Sequence, residues 1–155
     1  MESVETITIR PATVRDLYVL ADFIPAFHEE FGGVYRYDPD RFLMAWLDWL
    51  RLPSHALFVA VDGDRVIGSI GGEVEAHPYT PGALMGREYF WYIEPASRKS
   101  GAGKQLLDAF TAWVKECGAT HMTMVFMHNG QQYGLLDFYK REGFVAFETQ
   151  VIRSL

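Results

Sequence analysis

Apolar positions along the chain change period several times, and each change marks a predicted element. Ile7-Thr8-Ile9-Arg10 alternates as a short strand and stops at Pro11-Ala12-Thr13. Leu17, Leu20, Ala21, Ile24, Phe27, His28 and Phe31 then hold helical spacing, with Thr13 or Asp16 as cap candidates and Gly32-Gly33 as the end. Pro25 falls inside that pattern, where its missing N–H and its ring predict a kink or a break. A second helix is expected from Asp38-Pro39, a capping side chain followed by proline at the first helical position. It carries Phe42, Leu43, Trp46, Leu47, Trp49 and Leu50 and closes at Pro53.

Beyond Pro53 the period falls to that of strands. Leu57-Phe58-Val59-Ala60-Val61 and Arg65-Val66-Ile67-Gly68-Ser69-Ile70 flank an Asp62-Gly63 turn signal, which predicts a hairpin. Pro78, Pro81 and Gly82 make 76–86 read as a loop, and 88–93 as a central strand after it. Leu106, Leu107, Phe110, Trp113, Val114 and Cys117 define one face of an amphipathic helix, with Gly118 placed to stop it. A strand over 121–127, a helix over 131–141 and a closing strand or hairpin over 144–152 complete the pattern. Elements of both kinds around one sheet are the expected architecture, in a single domain spanning 1–155.

Two motifs carry the chemistry. Arg98-Lys99-Ser100-Gly101-Ala102-Gly103-Lys104 opens the amphipathic helix. Gly101 and Gly103 lack a Cβ, so the backbone can turn tightly there and approach a bulky anion. N–H groups gathered at a helix start, with the positive end of its dipole, attract phosphate, and Arg98, Lys99 and Lys104 add mobile charge. A nucleoside-triphosphate loop would need glycine at position 98 and Ser or Thr at 105, which are Arg98 and Gln105. A dinucleotide fingerprint would need glycine at 106, which is Leu106. A plain glycine turn before a surface helix remains open. The second motif, Asp137-Phe138-Tyr139-Lys140-Arg141-Glu142-Gly143-Phe144, puts a phenol just before a glycine-terminated helix end.

Arg98-x-x-Gly101-x-Gly103 after Tyr92-Ile93-Glu94-Pro95, followed by Phe138-Tyr139-x-x-x-Gly143-Phe144, resembles the GNAT superfamily of N-acetyltransferases, and the order of elements fits along essentially the whole chain. The resemblance implies an α/β (α+β) fold, a mixed, mostly antiparallel central sheet flanked by about four helices. It implies acetyl-CoA as co-substrate, held at the pyrophosphate by Arg98, Lys99, Ser100, Gly101, Ala102, Gly103 and Lys104. It also implies that the strands over 88–93 and 121–127 splay apart, with Ile93 offering main-chain contact to the pantetheine arm or thioester and Asn129 contacting CoA. Gly130-Gln131-Gln132-Tyr133-Gly134 departs from the family's usual alanine-containing helix start, and Tyr133 is a candidate lining residue.

Amine attack on a thioester needs a base for the ammonium proton, a donor for the oxyanion and an acid for the departing thiolate. Tyr139 matches the family's acid, and a phenol's ordinary pKa of about 10 keeps it protonated at neutral pH. A merely packed tyrosine is the competing reading. Glu88, ten residues before Arg98, is the candidate base, against a carboxylate that simply faces solvent; Glu73, Glu75 or Glu94 could substitute, or no single base is needed. The reaction implied is direct transfer to a primary amine in a ternary complex. The alternative is a non-catalytic CoA-binding module of the same fold with an assembly or regulatory role.

A formal charge of −6, from 14 Lys and Arg against 20 Asp and Glu, argues against general nucleic-acid binding and is compatible with a cationic amine, small molecule or peptide. The single cysteine, Cys117, excludes an internal disulfide and sits on the apolar helix face. His28, His55, His77, His121 and His128 lack metal-ligand spacing, so no metal is expected. No apolar run reaches the length of a membrane span, and Met1-Glu2-Ser3-Val4-Glu5 lacks signal-peptide character, which leaves a cytoplasmic location as the expectation. Tyr35, Tyr37, Phe42, Trp46 and Trp49 are candidates for a substrate wall or for core. A homodimer through the apolar C-terminal segment is compatible with the pattern.

Overall fold

A computed structural model describes residues 6–31, 34–127 and 134–155. Contacts divide the chain into two compact units, Met1–Val125 and Phe126–Leu155. The first contains, in order, β1 (Ile7–Pro11), α1 (Val14–Phe31), α2 (Pro39–Trp49), β2 (His55–Asp62), β3 (Arg65–Ala76), β4 (Leu84–Ile93), a single 3-10 turn (Pro95–Ser97), α3 (Ala102–Glu116) and β5 (His121–Thr123). The second contains α4 (Leu135–Arg141).

The five strands form one sheet in sequence order, antiparallel from β1 to β4, with β5 added parallel to β4. Each face is covered. Leu57, Val59 and Val61 of β2 point with Phe90 toward Leu17, Leu20 and Ile24 of α1 and Trp46 of α2. Ala60, Ile70 and Val74 point the other way, onto Leu106, Phe110 and Val114 of α3. Fully burying such a Leu or Phe contributes about 2 kcal/mol. Cys117 and Trp113 pack at the edge of the α3 layer, as the helical spacing suggested.

Three local expectations need correction. Ala76–Gly86 is not a loop throughout, because β3 continues to Ala76 and β4 starts at Leu84, leaving only 77–83 as the connection. The prolines and Gly82 mark the turn and say nothing about how far the ladder runs up to it. The strand expected over 121–127 pairs only as His121–Thr123. Residues 144–152 form no strand: they make no ladder, and Val145, Phe147, Val151 and Ile152 are exposed. Of the helix expected over 131–141, 131–133 lie outside the described residues and Leu135–Arg141 is helical.

Pro25 neither breaks α1 nor ends it. A proline cannot donate to the carbonyl four residues back, which here is Ala21. That carbonyl instead accepts a hydrogen bond from the Tyr37 hydroxyl at 3.0 Å, so the defect in the helix becomes the anchor of the α1–α2 connection. Burial, together with the nearby Asp22 and Asp38 carboxylates, pushes the Tyr37 phenol up to about 12, so it stays a donor.

Thr13 and Asp16 share the start of α1. The Asp16 carboxylate accepts from the Thr13 N–H at 2.7 Å and its hydroxyl at 3.0 Å, and takes a two-pronged pair from Arg10 at 2.6 and 3.0 Å. The Arg10 bond is the main reason the carboxyl lies at about 2. A depressed acid stabilises the fold fully above its unfolded value near 4 and ceases to do so as pH falls through about 2. Because Arg10 is partly exposed, Asp16→Asn should cost about 1–2 kcal/mol. Urea midpoints at pH 7 and pH 2.5 check this: the wild-type advantage over the variant should shrink at the lower pH.

Candidate active site

β3 and β4 are distorted where the chemistry is expected. Gly71 pairs with Phe90 and Gly72 with Glu88, so Tyr89 is an extra residue on β4. This bulge turns both Tyr89 and Phe90 toward Trp46, at 6.3 and 6.1 Å between ring centroids. The strands approach too closely for a side chain on β3: a Cβ on Gly72 would lie 2.1 Å from the Arg87 carbonyl oxygen. Glycines that weaken β3 as a sequence signal are therefore what lets the bulge form.

The β4–β5 ladder runs from Met85 and His121 to Arg87 and Thr123 and goes no further. The next residue of β4 is Glu88, and its Oε2 accepts a hydrogen bond from the Val125 N–H at 2.9 Å. A carboxylate thus takes the main-chain donor where the two strands part. Glu88 does not face solvent. It is 5 % exposed, and burial pushes its carboxyl up to about 7 against the opposing effect of the Val125 bond.

Of the alternative carboxylates, Glu94 is committed elsewhere. It receives Arg65 Nη1 at 2.6 and 2.7 Å and the Ser97 hydroxyl at 2.8 Å. Burial alone would raise its carboxyl, and those two bonds outweigh it, leaving the group below its ordinary value. Glu73 lies 3.4 Å from His55 Nε2, which is also 3.4 Å from the Tyr89 hydroxyl. Burial and the Glu73 hydrogen bond raise the Tyr89 phenol, and Trp49 stacks on His55 at 5.2 Å. Sequence reading gave no signal for this cluster, because its members are distant in the chain and meet only through strand register. Glu75 lies on β3 opposite Met85, two pairs closer to the turn than Glu73.

Beyond β4 the chain turns into α3 through bonds that the sequence motif did not specify. The Arg98 Nε donates to the Ile93 carbonyl at 3.0 Å, and its guanidinium sits 5.4 Å from the Tyr92 ring. Arg98 therefore shapes the loop as well as charging it. Ser100 donates through Oγ to the Ser97 carbonyl at 2.6 Å, and its Oγ accepts from the Ala102 N–H at 3.3 Å. Gly101 adopts a left-handed φ of +88°, which a side chain would resist. The first bond within the helix is Gln105 N–H to Gly101, so the N–H groups of Ala102 and Gly103 have no partner within α3. Gly103 lies over Trp91 and Ile93, with room for a Cβ at 3.4 Å from the indole. Lys104 pairs with Asp108 at 3.1 Å, and Lys99 is exposed. An anion would meet the helix start and the exposed loop side chains, a donor set that fits a pyrophosphate.

In the second unit Tyr139 is buried, its ring 5.4 Å from Phe144 and 6.2 Å from Phe138. Gly143 takes φ +89°, which lets the Phe144 N–H bond back to the Tyr139 carbonyl at 2.9 Å. Asn129 and Tyr133 lie outside the described residues, as does His128. No helix among the described residues is long and apolar enough to cross a membrane, and no cluster of three metal-ligating side chains occurs among them.

Comparison with solved structures finds the same fold over nearly the whole chain. A transcriptional regulator from Bacillus halodurans superposes with a TM-score of 0.78 at 22 % identity, covering 97 % of this chain and 100 % of that one. A predicted acetyltransferase from Clostridium acetobutylicum, with acetyl-CoA, gives 0.79 at 18 % identity and 96 % coverage of both chains. An aminoglycoside acetyltransferase from an uncultured soil metagenomic sample, in complex with sisomicin, gives 0.70 at 18 % identity, covering 96 % and 95 %. Sequence comparison with curated proteins gives no match. The model of the acetyltransferase (GNAT) family matches residues 18–144, which contain the bulge, the loop into α3 and Tyr139. The chain belongs to the acetyltransferase (GNAT) family, whose acyl donor is acetyl-CoA.

Proposed function

We propose that residues 1–155 act as one catalytic domain that moves the acetyl group of acetyl-CoA to a primary amine by direct attack in a ternary complex. The observation that carries this reading is Glu88, a buried carboxyl at about 7, held where β4 and β5 part. A base poised near the working pH takes a proton from an ammonium most effectively. The Val125 bond engages Oε2 and leaves Oε1 as the acceptor for that proton.

The remaining roles follow from the chemistry. Residues 98–104, with the N–H groups of Gly101, Ala102 and Gly103 among them, hold the pyrophosphate, and the main chain at Ile93 and a contact from Asn129 guide the rest of CoA. The amine nitrogen bonds to the acetyl carbon, the carbon–sulfur bond breaks, and Tyr139 gives its hydroxyl proton to the thiolate. Tyr139→Phe keeps the ring that packs on Phe144 and removes the proton. It should lower kcat about 10- to 100-fold with little change in KM for acetyl-CoA, measured by thiol release.

The acceptor is a small-molecule amine or a protein or peptide amine met in the cytoplasm. Support comes from neighbours of the same fold, one with acetyl-CoA and one an aminoglycoside acetyltransferase with sisomicin. Calorimetric titration with acetyl-CoA, followed by thiol release across a panel of amines, tests the whole reading. Saturable binding with turnover is expected. Binding without turnover on any amine would favour a non-catalytic CoA module, and absence of binding would overturn the proposal.

A further inference from the structure

A cavity of about 430 Å³ opens between the end of α1, the connection after it and α2. Its size is that of a site for a small molecule. Its wall is aromatic: Tyr35, Tyr37, Phe42, Trp46 and Trp49 line it. Four of these rings pack in pairs, Trp46 and Trp49 edge to face at 5.2 Å and Tyr37 and Phe42 tilted at 6.4 Å. His28 stands edge to face with Tyr37 at 6.1 Å, and the Tyr37 hydroxyl is tied to Ala21. The wall is therefore built before a ligand arrives. Its back is shared with the catalytic strand, since Trp46 and Trp49 pack on Tyr89, the neighbour of Glu88, at 6.3 and 5.2 Å.

The charge on the rim has one sign to spare. Asp38 is the single carboxylate among the lining residues, and its Oδ1 accepts from the Asp40 and Arg41 N–H groups at 2.9 and 3.3 Å, capping α2. Arg36 and Arg41 are both exposed and, among the described residues, neither is ion-paired. A polycation such as an aminoglycoside would meet two guanidinium groups there. A carboxylate or phosphate would instead gain charge-assisted, two-pronged hydrogen bonds from them.

We infer that this cleft binds the acceptor, and that the acceptor is a primary amine carrying an aromatic ring and an oxyanion, the ring against Trp46 and Trp49 and the oxyanion at Arg36 and Arg41. This rests on the transferase reading for the word acceptor; the ligand chemistry rests on the cleft alone.

The test pairs turnover with direct binding. Thiol release is measured with L-phenylalanine and tyramine O-phosphate, which separate carboxylate from phosphate, and with phenylethylamine, β-alanine and spermidine, which lack the oxyanion, the ring or both. Either oxyanion-bearing aromatic should exceed spermidine and β-alanine in kcat/KM by at least about tenfold. In the double variant Arg36→Glu with Arg41→Glu, the preference for that compound over phenylethylamine should fall by about tenfold or more. Both positions are exposed, and an unchanged Tm shows that the variant folds. Binding is read independently by quenching of tryptophan fluorescence, expected to saturate in the wild type and to weaken in the variant. Quenching without any thiol release or acetyl-CoA binding would keep the ligand class and sink the transferase reading. Spermidine as the best acceptor, or a preference and a quench indifferent to the two charge reversals, would overturn the inference.

Discussion

Glu88→Gln should reduce kcat by about 10²- to 10⁴-fold, the range over which a positioned base contributes. The substitution is chosen to isolate chemistry from structure. A glutamine side chain keeps the volume, and its amide oxygen can accept the Val125 N–H as the carboxylate does. The pH profile supplies the sharper readout. With a carboxyl at about 7, kcat/KM of the wild type should rise with pH through an acid limb near neutrality, as the base loses its proton. That limb should be missing from the residual activity of the variant. Stability should move the other way. A buried acid whose pKa is raised by folding stabilises the protein fully below its unfolded value near 4.5, and that contribution is lost as pH rises through about 7. At pH 8 the variant has no buried charge to carry, so its Tm should equal or exceed that of the wild type. A variant with full kcat would remove Glu88 from the mechanism; one with reduced kcat and a lower Tm would make it a structural clasp for the parting strands.

The second large effect is expected at the loop. Gly103→Glu should weaken acetyl-CoA binding by at least about 100-fold, close to 3 kcal/mol, as measured by calorimetry. The new carboxylate would stand among the N–H groups proposed to receive the pyrophosphate and would repel it. The fold should survive, because a Cβ at Gly103 finds 3.4 Å to the Trp91 ring, and a negative charge in the first turn of α3 favours the helix. Unchanged affinity would mean that the pyrophosphate lies elsewhere.

Most of the architecture could be read from periodicity because each layer is built from a regular face. Leu106, Phe110 and Val114 announce α3, and Asp62-Gly63 announces the hairpin, with Gly63 at φ +63°. What escaped was set by partners rather than by local pattern. The length of β3 is fixed by its register with β4 up to Ala76 and Leu84, across glycines that lower its strand propensity. The bulge at Tyr89 depends on two backbones approaching at Gly72, which no single-strand pattern encodes. The apolar residues over 144–152 suggested a closing strand or hairpin, but apolar residues supply only a face, and a strand also needs a ladder.

The candidate site was legible to the same degree. The glycine loop and Tyr139 became candidates because each is a contiguous motif. Glu88 became a candidate by position, while its burial and its bond to Val125 follow from where β5 leaves the ladder, thirty-seven residues on. The arginine of the loop was read as a free charge, yet its Nε closes on the Ile93 carbonyl. A side chain's partner is a tertiary fact.

Pro25 lies on the exposed side of α1, outside the cleft, but the hydrogen bond it forgoes is the one that holds Tyr37 in the cleft wall. Restoring an N–H at that position would set the helix backbone in competition with a tyrosine twelve residues further along the chain for one carbonyl. If the cleft takes the acceptor as proposed, selection, natural or in the laboratory, has a route to altered acceptor preference through a residue outside the cleft lining. A library confined to the lining of the cavity would miss it.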